Sequence, residues 1–341
     1  MAKHQHYVPR LLLRGFLSQI GNEAAKKQVR VFDLTKPERG GFVVPIDNIM
    51  GEGRFNDWRI DDETVASIDP MADYIENDIA HIIHRIRDEK RIEQTDEVIA
   101  DLSVFLAFQF IRTKKMRMMY ERMNSQIKDH VAKFGFDTSR IKGLEDWDEN
   151  KLKAQHAKHQ ISGLQKYAEI MSQKVYFAMT APEGSSFYLS DHPVALHSDQ
   201  ERQGIMRGLG IGVPYIQIYL PLSAEVMLCA YDPAVLGDLM RGRDEEMNKG
   251  RSKALKALMD GKITSTQMRQ FVEMEKEYDI VTPLIDAIRA GGPVAVEKEQ
   301  VDTYNSLQVF HAHRFVVDPR GEFDIVPGIL AERTEAASRH R

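Results

Sequence analysis

Residues 104–111, Val-Phe-Leu-Ala-Phe-Gln-Phe-Ile, have helical composition and are apolar nearly all round. Such a helix has no face to offer water, so other elements must enclose it. The chain therefore needs layers on both sides of this segment. Its 341 residues, 43% of them hydrophobic, supply enough material for one large or two ordinary domains. Period switching along the chain says what those layers are. Val29 to Leu34 and Phe42 to Pro45 read as strands around a Pro37–Gly41 turn. A helix runs from about Glu63 to Lys90, with Ile68, Met71, Ile75, Ile79, Ile82 and Ile86 on one face. A second helix runs from about Thr95 to Asp129, and a third carries Ile161, Leu164, Ala168 and Met171. Val175, Phe177 and Met179 then alternate as a strand, and Phe187 to Leu189 return it. Tyr215 to Leu220 and Glu225 to Tyr231 add a strand pair, which predicts an antiparallel sheet of about four strands.

The predicted fold is α+β: long N-terminal helices packed on a mainly antiparallel sheet, with a helical insertion late in the chain. Residues 1–232 together with 293–320 form the domain. Residues 233–292 are the charged helical insertion, and residues 331–341 a mobile tail. A last helix is expected at 298–311 and a last strand at 315–317.

The net charge of −5 gives no global basic field for nucleic acid or anionic membrane, so any such contact needs a local patch. The single cysteine, Cys229, rules out an internal disulfide and sits in an apolar run, as an inert buried thiol does. No secretory leader and no apolar run of about eighteen residues is present, which makes a cytoplasmic protein with no membrane partner the expectation.

Chemistry-bearing residues concentrate in a few strings. The first is His4-Gln5-His6-Tyr7-Val8-Pro9-Arg10, a terminus whose rings and guanidinium favour docking over fraying. Gln109 and Arg112 share a face of the enclosed helix. A guanidinium held away from water needs a carboxylate, a phosphate or several carbonyls. Arg112 is thus either half of an internal ion pair with Glu76 or Asp191, or a ligand-binding group. Ser190-Asp191-His192-Pro193 ends a strand, where Asp191 serves either as a catalytic carboxylate or as a turn cap. His81-x-x-His84 and His156-x-x-His159 lack the Glu and third ligand of a hydrolytic zinc site and read as solvated faces. His311-x-His313 can line a site beside Asn305. The basic run from Arg112 to Arg122, interleaved with Met116, Met118 and Met119, can either meet phosphates or pack its methionines.

Several of these strings resemble the DUF4238 family in the expected order. His6-Tyr7-Val8-Pro9 with Leu13 and Phe16 is similar to its opening. Phe105 to Arg112 with Thr113 resembles its F-x-x-x-Q-x-x-R-T helix, and Ser190-Asp191-His192-Pro193-Val194 its S-D-x-P-V strand end. Pro221-Leu222-Ser223 resembles its P-L-S turn, and Asn305, Gln308, Ala312 and Arg314 its closing helix. The resemblance implies one α/β domain in a bacterial group of unknown function, associated with mobile-element or phage defence, and no mechanism.

The residues themselves suggest one cleft. His6, Tyr7, Glu76 and Asp191 are its catalytic candidates, with His6 the proton shuttle. Arg10 and Arg112 would hold an anion, Gln109 and Asn305 would orient it, and His192 and Arg314 complete the ligand set. Arginines with amides and histidine, no metal motif and no expected cofactor suit a phosphate or phosphodiester. The expected activity is a metal-independent nuclease or phosphotransfer enzyme, with nucleic acid or another phosphate-bearing ligand as partner. The alternative is a non-catalytic binding or sensor module whose polar cluster is structural.

Overall fold

The computed structural model describes residues 4–22, 26–138, 141, 143–200 and 210–339. Short strands come first, not helices. β1 (His4–His6) is followed by the single turn α1 (Arg10–Leu13), the hairpin of β2 (Gln28–Asp33) and β3 (Gly41–Pro45), and β4 (Gly51–Gly53), which pairs antiparallel with β1. β5 (Asp57–Arg59) and β6 (Val65–Ser67) make a small ribbon. Four long helices succeed them: α2 (Asp69–Glu89), α3 (Asp96–Ile111), α4 (Lys114–Lys133) and α5 (Glu149–Ser172).

The long helix expected from Thr95 to Asp129 is in fact two, broken at Arg112–Thr113. Thr113 is extended, and its hydroxyl caps α4 by accepting from the Met116 amide. A side-chain cap competes with continuing the helix, and here it wins.

The main sheet is built from β7 (Val175–Thr180), β9 (Ala195–His197), β10 (Gln217–Pro221), β11 (Val226–Tyr231) and β12 (Val294–Ala295), in the order β12-β7-β11-β10-β9. All its pairings are antiparallel except that of β12 with β7. The return strand expected at 187–189 does not join it. β8 (Leu189–Ser190) pairs instead with β13 (Phe315–Val317) in a second sheet of order β3-β2-β13-β8. That pairing spans more than a hundred residues, and no turn signal encodes it.

Alternation along the main strands feeds two cores. Tyr176, Ala178, Leu228 and Ala230 pack with Phe105, Leu106 and Met171 of α3 and α5. Phe177, Met179, Met227, Cys229 and Tyr231 pack on the other face with Leu236, Ile285, Ile288 and Val301. Those come from α6 (Pro233–Met259), α8 (Val281–Arg289) and α9 (Lys298–His311); α7 (Ser265–Glu277) lies between α6 and α8 in the chain. The two ends of segment 233–292 thus cover a sheet face. Each fully buried Phe or Leu here contributes roughly 1.5–3 kcal/mol. Residues 331–339 of the expected tail are helical, within α10 (Val326–Arg339), and Arg333 donates to the Val309 and Ala312 carbonyls.

The N-terminal segment is docked. Val8, Leu12, Leu13 and Phe16 are fully buried. Arg87 of α2 holds the segment by donating to the carbonyls of Leu11 and Leu222. Gly15 passes so close to the Leu222 carbonyl that a Cβ would collide with it. Among the described residues no helix is long and apolar enough to cross a membrane.

Candidate functional site

The break between α3 and α4 turns neighbouring residues toward different surroundings. On the α3 side, Arg112 is 2% exposed. It donates to Glu76 Oε1 at 2.6 Å and to the His6 carbonyl at 2.7 Å, with its guanidinium over the Phe108 ring. One turn earlier, Gln109 donates to the Tyr7 carbonyl at 3.0 Å. His6 places its Nε2 3.0 Å from the Ile46 carbonyl, and burial lowers its pKa. These groups close on one another and on backbone, and they fasten the N-terminal strand to the enclosed helix.

Beside this lock lies Asp191, fully buried, where β8 ends. It accepts from the backbone amides of His313 and Arg314 at 2.7 and 2.9 Å. Burial dominates its titration and pushes its pKa up to about 6. Arg314 reaches away and forks onto Asp33, with its closest contact at 2.7 Å. The Tyr7 hydroxyl is buried within the fields of Asp191, Glu52 and Arg314, and burial, then Asp191, pushes its pKa up.

On the α4 side a pocket of about 600 Å³ opens. Lys115, Met118, Met119 and Arg122 follow the i, i+3, i+4, i+7 spacing and present one helical face to it. His192, His311, His313 and Arg333 line it too, and Phe110, Tyr167, Leu196 and Ile211 give it apolar walls. No carboxylate lines it among the described residues. Lys115 donates to the His311 carbonyl at 2.7 Å. No carboxylate among the described residues lies within ion-pair distance of it, and burial and then the Arg333 charge lower its pKa to about 8. His192 Nδ1 sits 2.7 Å from the Thr113 hydroxyl, and Nε2 has no hydrogen-bond partner among the described residues. Burial, then Lys115, holds its pKa well below the ordinary value; His311 is lowered to about 4 for the same reasons.

Of the ten residues expected in one cleft, the pocket takes only His192. His6, Tyr7, Glu76, Gln109 and Arg112 do come together, but as the closed lock. Asp191 and Arg314 adjoin it. Arg10 does not converge: it lies at the surface, paired with Asp47, with both side chains more than half exposed. Asn305 does not either. It faces the other side of α9, donating to the Ser186 carbonyl and accepting from the Tyr188 amide. His81 and His84 are exposed as expected, whereas His156 is fully buried. Its Nε2 faces the Ile111 carbonyl and its Nδ1 accepts from Arg117, because α5 packs along α3. Lys115 and Arg122 were visible only as part of a basic run, through their shared helical spacing with the methionines. Arg333 carried no signal. Among the described residues no three His, Cys, Asp or Glu groups are placed to hold a metal ion.

The family model described as "Protein of unknown function (DUF4238)" matches residues 4–321. No curated protein and no solved structure matches the chain.

Proposed function

The chain belongs to the DUF4238 family, and we propose that its α4 pocket binds a phosphate-bearing ligand and acts on it. The observation that carries this reading is a group of cations offset only in part, by Asp191 from behind the pocket wall. Lys115, Arg122 and Arg333 border a pocket that no described carboxylate lines. Cations gathered in a partly desolvated space repel one another, and an anion relieves them. The apolar walls suit the organic part of an ester, and a volume near 600 Å³ is in the range of small-molecule sites.

The finer reading is metal-independent phosphoryl transfer or phosphodiester cleavage. Arg122 and Arg333 would hold the charge that develops on the phosphoryl oxygens. His192, with Nδ1 on Thr113 and Nε2 free among the described residues, is the candidate proton carrier. This moves the proton shuttle from His6 to His192 and the anion grip from Arg10 and Arg112 to the α4 face. The closed pairing of Arg112 with Glu76 supports the structural reading for the lock itself.

Calorimetric titration with inorganic phosphate and with adenosine monophosphate tests the binding. Arg122 is exposed at the pocket, so Arg122→Glu should leave the melting temperature near wild type. It should weaken both ligands at least tenfold, which is about 1.4 kcal/mol. Unchanged affinity would sink the pocket assignment. Mixed RNA and DNA incubated with wild type and with His192→Ala tests cleavage; equal or absent degradation by the two proteins removes the nuclease reading.

A further inference from the structure

We propose that Lys115 is a nucleophile that forms an imine with an aldehyde or ketone carrying a phosphate group. The proposal rests on the anion-binding reading of the same pocket and narrows its ligand to a phosphorylated carbonyl compound.

Three features of the pocket point there. Lys115 lines the pocket, and among the described residues its amine is tied only to the His311 carbonyl. Its chain neighbour Lys114, by contrast, is paired with Glu52. A buried ammonium with no carboxylate partner is costly, so more of the neutral amine, which has the lone pair that attacks a carbonyl, is present near neutral pH than at a solvated lysine. The charged groups around it divide. Arg333 of α10 and Arg122 on its own helix disfavour the ammonium, Asp191 opposes them from the interior, and the neighbouring His192, His311 and His313, each with a lowered pKa, are neutral near pH 7. The same arginines that disfavour the ammonium are placed to take the substrate's phosphate.

The chemistry balances without an outside reagent. The amine lone pair attacks the carbonyl carbon, and the carbonyl electron pair moves to oxygen, which takes a proton as the nitrogen loses one. The resulting carbinolamine sheds its hydroxyl as water after a second proton reaches it, and the nitrogen lone pair closes the C=N bond. His192 lines the pocket with no hydrogen-bond partner for Nε2 among the described residues, and it is the proton carrier at hand.

The test uses the whole wild-type protein with pyridoxal 5′-phosphate as the aldehyde probe. Borohydride reduces any imine to a stable amine, and peptide mass mapping locates the label. Label at Lys115 should exceed that at Lys114 at least tenfold. Excess inorganic phosphate should cut it at least fivefold, and the labelling rate should rise with pH with a midpoint near 8. Lys115→Met should lose the imine absorbance; mapping the wild type gives the answer even if that variant does not fold. Label no greater at Lys115 than at Lys114 overturns the proposal even where calorimetry finds phosphate bound. Equal labelling of Lys115 by pyridoxal, which lacks the phosphate, would keep the nucleophile but overturn the anion reading.

Discussion

Arg112 and Lys115 stand on either side of one helix break, and the fold treats their charges in opposite ways. Arg112 is 2% exposed and meets a carboxylate and a carbonyl at hydrogen-bond distance. Lys115 is partly buried with a single carbonyl. A buried cation with a full set of partners is a fastener. Its removal strands Glu76 and the His6 carbonyl. A buried cation left short of partners is a poor fastener, and its strain is useful only when something else arrives to share it. The same local feature, the extended Thr113 that ends α3 and caps α4, separates the two residues onto different helices.

The largest effect should come from the fastener. Arg112→Ala removes the buried partner of the partly exposed Glu76 and frees the His6 carbonyl, and should cost about 3 kcal/mol in urea unfolding. Lys115→Met should change stability by no more than about 1 kcal/mol at pH 7, since a poorly compensated charge gives way to an apolar chain of similar length. If both variants lose the same stability, the contrast between the two cations fails.

Next in size is the carboxylate between the two regions. Asp191 has a folded pKa raised from 3.8 to about 6, so the folded protein holds its proton more tightly than the unfolded chain. Its contribution is therefore greatest below pH 4 and is lost as the pH rises through about 6. Asp191→Asn does not titrate. The stability of wild type relative to this variant should fall by about 2.4 kcal/mol between pH 4 and pH 7. The histidines titrate in both proteins and cancel in the difference. A flat difference would mean that the backbone amides of His313 and Arg314, and not burial, govern this carboxyl.

How far the sequence reached follows the range of each interaction. The helix at 298–311 and the strand at 315–317 have the bounds their patterns predict, because side-chain period is a local property. The α3–α4 break escaped because basic and apolar residues keep helical spacing across it, and one threonine decides the matter. The partner of Phe187–Leu189 escaped because β8 pairs with a strand far along the chain. In the site, His192 stood out through its place before Pro193, where the chain must leave the strand. Residue type alone places Arg10 and Asn305 in the cleft, and packing sends them elsewhere. Arg333 reaches the pocket by docking of α10 on α9, which no local pattern announces.

The smallest effect tests the break itself. Thr113 Oγ1 accepts from the Met116 amide and meets His192 Nδ1 at 2.7 Å. Thr113→Val keeps the shape and removes both contacts, so it should cost about 1 kcal/mol of stability, the usual worth of a lost cap. Its diagnostic readout is local. The imidazole resonances of His192 should move, since the ring loses the bond that fixes its tautomer. The Arg112 guanidinium resonance should stay in place, since Glu76 and the His6 carbonyl still hold it. Movement of both would show that the lock and the pocket are one network, and the separate roles assigned to Arg112 and Lys115 would have to be merged.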